Sequence, residues 1–222
     1  MTAPIRRLRR ELLRIAARAA RERWDRARLD REILRAFRTS GLFSGDGLSA
    51  AAEALPAAAA EAYTRLTTRT ASPAAQLDAG RVLRVAGQDV TRLGGKLRTS
   101  LLDDVARVLE TNGTVGEAED VVRRRTRQAD HAVRTVAETA AGGFDRAATL
   151  AQSETVAGVR YRYTGPAADR AFCRDRLAEA ADGVTYTAAE IRRLDNGQGL
   201  DVALYCGGYR CRHRWTAVIS RA

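Results

Sequence analysis

The sequence predicts a mainly α-helical fold with a small C-terminal α+β module: long helices followed by a compact cap containing cysteine and histidine. Three observations predict it. Hydrophobic residues make up 45% of the 222 residues and aromatics only 5%, in a chain rich in alanine, arginine and leucine. That composition is helix-prone and can bury a core. Apolar residues recur at helical spacing, between polar turns, as far as about residue 158. Beyond Val159 the texture changes: Tyr161, Tyr163, Tyr186, Tyr205, Tyr209 and Trp215 fall there, as do all 3 cysteines. The chain therefore divides into a helical arm or bundle over 1–112, a helical connector over 113–158 and the α+β module over 159–222.

The elements follow in order. Ile5, Leu8, Leu12, Ile15 and Ala19 form one helical stripe, and Trp24, Leu29, Ile33, Leu34 and Phe37 continue it with a phase shift. This reads as one long helix over 5–37. Thr39-Ser40-Gly41 stops it, and 44–47 is a loop. A second helix is expected over 48–69, kinked or restarted at Pro56. Ser72-Pro73 opens a third, with serine as N-cap and proline in the first turn. It runs to Gly87 or, through Gly94-Gly95, to Glu110, and Asn112-Gly113 ends it. Thr114 and Glu117 make a capping box before a short helical face at Ala118, Val121 and Val122. A further helix runs from near Gln128 to about Gly158, with Gly142-Gly143 a break or a close contact. In the module, Arg160–Tyr163 alternates like a strand, Thr187 and Glu190 form a second capping box, and 212–219 is a last strand.

The net charge of +11 is unevenly placed. Residues 1–40 carry 13 arginines against 5 acids, 41–159 are nearly balanced, and 160–222 carry a smaller basic excess. A polarised chain of this kind suits a polyanionic partner, or else a solvated helix face. Arg6, Arg7, Arg9, Arg10 and Arg14 are the candidate partner-binding residues. Arg160, Arg162, Arg210, Arg212 and Arg214 alternate with aromatics and turns, which reads as a solvated strand face or as phosphate contacts beside Tyr161 and Tyr163. No apolar run approaches the ~20 residues of a membrane span, and no apolar stretch follows the basic N-terminus, so no secretory signal is expected. His131, beside Asp130, with Ser153 and Glu154 downstream, makes a poor hydrolytic set, because no nucleophile elbow or phosphate loop accompanies it.

The chemistry concentrates in Cys173, Cys206, Cys211 and His213, the last three spaced Cys-x4-Cys-x-His. Three thiolates and an imidazole suffice for a closed tetrahedral zinc site, and a structural zinc ion would staple a small module. Buried free thiols with a hydrogen-bonded histidine, or a Cys206–Cys211 or Cys173–Cys211 disulfide, remain open alternatives on spacing alone.

These residues sit in an ordered series. It comprises Tyr163-Thr-Gly-Pro166, Arg170-Ala-Phe-Cys173, Tyr186-Thr-Ala-Ala-Glu190-Ile191, Leu194-Asp-Asn-Gly-Gln-Gly-Leu200 and Gly207-Gly-Tyr-Arg-Cys-Arg-His-Arg-Trp215, preceded by Leu150-Ala-Gln-Ser-Glu154-Thr155. The series resembles the C-terminal region of phage minor head proteins, the Mu F-like head morphogenesis family, over roughly residues 114–219. Within that pattern Cys173, Cys211 and His213 correspond to family positions and Cys206 does not. Gln152 and Ser153 replace the family's arginine and threonine, and the Gly-Pro to Cys interval is about two residues short.

The resemblance implies a non-enzymatic virion component, a minor head or head-completion protein assembled in the host cytoplasm. Its partners would be portal, capsid or connector proteins, with packaged DNA a further one, and many copies would act together. The alternatives are a zinc-containing DNA-binding protein and, less favoured, an enzyme using the Cys/His cluster as nucleophile and base.

Overall fold

The computed structural model describes residues 3–40, 57–68, 71–153 and 156–218. The described elements are α1 (Ala3–Glu22), α2 (Arg26–Ser40), α3 (Ala57–Thr67), α4 (Pro73–Glu110), α5 (Val115–Ser153), β1 (Arg160–Thr164), α6 (Ala171–Ala181), α7 (Ala188–Arg193), α8 (Val202–Tyr205) and β2 (Arg214–Val218). The fold is mainly helical with a two-stranded antiparallel sheet near the C-terminus. No helix among the described residues is long and apolar enough to cross a membrane.

Residues 1–54 and 84–137 form one compact unit, and 55–83 and 138–222 form another. The grouping differs from the sequence segments 1–112, 113–158 and 159–222 for a simple reason. A tight turn after Glu110 folds the chain back, so the later part of α4 packs with the earlier part of α5, and both helices supply residues to both units.

In the first unit α1 packs against α2, burying Ile5, Leu8, Leu12 and Ile15 from one and Leu29, Ile33 and Phe37 from the other. The single helix expected over 5–37 is two helices. Arg23 adopts a left-handed φ of 54° and Trp24 is buried, so the chain resets its phase where the apolar stripe shifts. Asp25 then caps α2 by accepting from the Arg28 amide at 2.6 Å. Trp24 donates from Nε1 to Glu22 at 2.8 Å, and the Arg28 guanidinium lies 4.2 Å from its ring centroid.

Helix α4 is uninterrupted through its glycines to Glu110, capped by Ser72, whose Oγ accepts from the Ala75 amide at 3.2 Å. Its end is a Schellman motif: Asn112 has φ 55°, the Gly113 amide donates to Val108 O at 2.7 Å and the Asn112 amide to Leu109 O at 3.1 Å. The Thr114–Glu117 capping box forms with both reciprocal bonds, at 2.6 and 3.2 Å. Helix α5 runs on without a break near Gln128, because Arg123 to Arg127 contains no helix breaker and the buried Thr126 hydroxyl turns back onto Val122 O at 2.7 Å.

In the second unit Gly143 of α5 faces Val82 of α4, and Tyr63 of α3 packs on Phe144 with centroids 5.4 Å apart. The part of the expected second helix before Ala57, its kink at Pro56 and the loop at 44–47 lie outside the described residues. The register sets Tyr161 opposite Ala217 and Tyr163 opposite Trp215. Tyr161, Tyr163 and Trp215 point into a core shared with Leu150, Cys173, Ile191, Val202 and Cys206. The outer sheet face carries Arg162 and Arg214, both exposed. The stacking surface imagined beside Tyr161 and Tyr163 therefore does not exist; period-2 alternation turns those rings inward. Arg210 and Arg212 lie outside the strands. Arg192 of α7 pairs with the buried Asp78 of α4 at 2.9 Å, and with Asp201 at 3.5 Å.

Candidate metal centre

Cys173 is the third residue of α6, and its thiol is buried. Cys211 and His213 arrive on the turn between α8 and β2. One donor atom from each of Cys173, Cys211 and His213 lies within 4.8 Å of the others, forming a group that could hold a metal ion. The two sulfurs are 3.8 Å apart, and Cys211 Sγ is 3.3 Å from His213 Nδ1. Two sulfurs bound to one tetrahedral zinc at ~2.3 Å would be about 3.8 Å apart, so the donors stand at the separation that such an ion requires.

The surroundings orient them. His213 Nε2 is 2.8 Å from Pro166 O. A carbonyl only accepts, so Nε2 carries a hydrogen and Nδ1 faces the Cys211 sulfur; the contact needs a proton or a cation between them. A carbonyl behind a histidine ligand is the usual support of such a site. Tyr163 stacks on the His213 ring at 5.1 Å and its hydroxyl donates to Cys173 Sγ at 3.3 Å.

The turn is held from three sides. Arg146 of α5 is buried and donates to three carbonyls: His213 O at 2.9 Å, Leu204 O at 3.0 Å and Cys211 O. Arg170 reaches Gly207 O at 2.9 Å and Tyr209 O at 2.7 Å. Asn196 donates to Cys206 O at 2.9 Å and Gln198 to Gly207 O at 3.2 Å. Gly207 is obligatory because a Cβ there would sit 2.2 Å from Cys173 Sγ.

The electrostatics favour one thiolate. Cys211 is drawn well below the ordinary thiol range, first by the hydrogen bond from Cys206 and also by the backbone amides of His213 and Gly207. Burial pushes Cys173 and Cys206 up, and burial beside these sulfurs raises the Tyr163 hydroxyl as well.

Of the four donors expected from sequence, three come together and Cys206 falls outside the group. It caps α8 with φ 49° and is wholly buried in the aromatic core, where its thiol serves Cys211 as a hydrogen-bond donor. The three cysteines are free thiols, with no disulfide among them. His131 is exposed, while Asp130 pairs with Arg134 at 3.1 Å. Ser153 bonds the Tyr161 hydroxyl at 2.8 Å, and Glu154 lies outside the described residues. On α1, Arg6, Arg7, Arg10 and Arg14 are exposed and Arg9 half-buried, with Arg14 3.3 Å from Glu11. Sequence reasoning missed Arg146. Its one signal is phase: Thr139, Gly143, Arg146 and Leu150 share a core-facing stripe, so a charged residue there has to find buried partners.

No family model, no curated protein and no solved structure matches this chain.

Proposed function

We propose that the protein is a structural component of a phage head, a minor head or head-completion protein of the Mu F-like kind, whose C-terminal module is stapled by a zinc ion. One observation carries the reading. The separate pieces of the ordered motif series converge on one centre: Tyr163 and Pro166 support His213, Arg170 and Gln198 hold Gly207, Asn196 holds Cys206, and Cys173, Cys211 and His213 supply the donors. Zinc suits a set of two sulfurs and one imidazole, and its binding energy would add directly to folding. Its action is binding rather than catalysis. The exposed arginines of α1, Arg6, Arg7, Arg10 and Arg14, supply charge-assisted pairs to carboxylates or phosphates of portal, capsid or connector proteins or of packaged DNA. Repetition in a multi-copy assembly multiplies weak contacts.

The test is to express the protein tagged alongside the genes that neighbour its own and sediment any particles in high salt. A head component stays with the particles. The same basic α1 face favours a second reading, a zinc-containing DNA-binding protein. That reading requires binding to duplex DNA that weakens steeply as salt rises and no retention on particles.

A further inference from the structure

Resting on the metal reading above, the geometry points to a metal centre with three protein ligands and one position open to a surface cleft, and we propose that this position takes an oxyanion, a carboxylate or phosphate group. Three observations carry it. First, the donor group contains three residues, and among the described residues no fourth cysteine, histidine or carboxylate joins it: Cys206 lies outside, and the Tyr163 hydroxyl is already donating to Cys173. Second, the group borders a surface cleft: Cys211 is half-buried, while Cys173 and His213 are buried. Cys173, Cys211 and His213 form part of the wall of a cleft of ≈ 260 Å³ that Arg170, Arg210 and Arg212 also line. Structural zinc sites are closed by four protein ligands, whereas a site with three keeps a place for an outside ligand. Third, the cleft wall selects for negative charge. One acid, Asp169, shares it with the three arginines. Arg170 is occupied by Gly207 O and Tyr209 O, and Arg210 by Glu138 at 3.1 Å. Arg212 is exposed and lines the same cleft, so it is the arginine assigned to pair with an oxyanion bound there.

The surface cleft gives the position two sources: the carboxylate of a docking protein, or a phosphate. Cobalt(II) loaded into the reduced protein separates them, because its visible absorption reports the ligand set. The expected result is a band that moves and saturates on titration with acetate, with inorganic phosphate or with both. Response to acetate alone assigns a carboxylate, and response to phosphate alone assigns a phosphate. Arg212→Ala is expected to raise the half-saturating concentration about fivefold. A cobalt spectrum indifferent to both anions overturns the open position. So does Cys206→Ser removing sulfur-to-metal absorption, since Cys206 would then be the fourth ligand. Protein that takes up no cobalt overturns the metal reading itself, and the two failures are distinguished by that uptake measurement.

Discussion

Arg146 Nε donates to the backbone carbonyl of His213 at 2.9 Å, across 67 positions of sequence. The same guanidinium holds Leu204 O and Cys211 O. A planar fork with several fixed donors can serve three carbonyls at once, and an ammonium cannot reproduce that geometry. Arg146→Lys is therefore expected to behave like a loss. Leaving buried carbonyls unpaired costs about 1–3 kcal/mol each, so the variant should lose roughly 2–4 kcal/mol in urea unfolding followed by hydrogen exchange of the β1 and β2 amides. Protection equal to the parent would show that the turn holds itself.

Metal content gives a second prediction. The reduced, chelator-washed and reloaded protein should carry about one zinc per chain by elemental analysis. Cys211→Ser should lose the metal and lower the melting of the C-terminal module while the α1–α2 helices keep their circular dichroism. An unchanged zinc count in that variant would remove Cys211 from the donor set.

Gly207→Ala tests the packing behind the donors. The added methyl would fall 2.2 Å from Cys173 Sγ, so either α6 or the turn has to move. Overpacking of this kind costs about 1–3 kcal/mol. Thermal unfolding should show the loss, and zinc affinity should fall with it because the Cys173–Cys211 separation widens.

Acid should weaken two helix starts. Glu117 and Glu190 are held below the usual carboxylate range, chiefly because the backbone amides of Thr114 and Thr187 donate to the charged form. A depressed carboxylate contributes stability that is present above its unfolded value, about 4.3, and that is lost as pH falls through the lower folded value. Protection of the amides at the first turns of α5 and α7, taken relative to their intrinsic exchange at each pH, should therefore fall as pH drops below about 4. Glu117→Gln, which keeps an acceptor without titrating, should flatten that dependence at α5 only.

The basic arm can be tested without disturbing the fold. Arg6 and Arg10 are exposed on one face of α1, four residues apart. Arg6→Ala with Arg10→Ala should leave thermal stability within about 0.5 kcal/mol and, on the proposal that the protein is a phage head component, should reduce its retention on the particles. Full retention would place the docking surface elsewhere.

Much of the molecule was legible because its signals are local. Both capping boxes, the Ser72 cap, the Asn112-Gly113 stop and the alternation of Arg160–Tyr163 depend on a few neighbouring residues. Cys173, Cys211 and His213 could be singled out because groups able to hold a metal ion draw on few residue types. What was missed depends on distant partners. Helix α6 buries only Cys173 and so shows no apolar stripe. The break at Arg23 is visible as a phase shift, yet helix propensity there is good, and only the burial of Trp24 decides for two helices. Cys206 has the right chemistry, but the left-handed turn at its own backbone sends it to the core.

The strand register has a consequence for synthesis. Thr164 lies opposite Arg214, so the pairing that brings Pro166 O to His213 joins positions some fifty residues apart. The backbone bonds within helices α1 to α5 are local, although their packing also joins distant segments, as between Asp30 and Arg98. The donor set needs His213, and the sheet behind it needs Trp215, so neither exists in a nascent chain that stops short of them. The loop entropy must be spent before the distant contacts return it. Closure of the centre is thus a late event, and it reports that translation has passed residue 213.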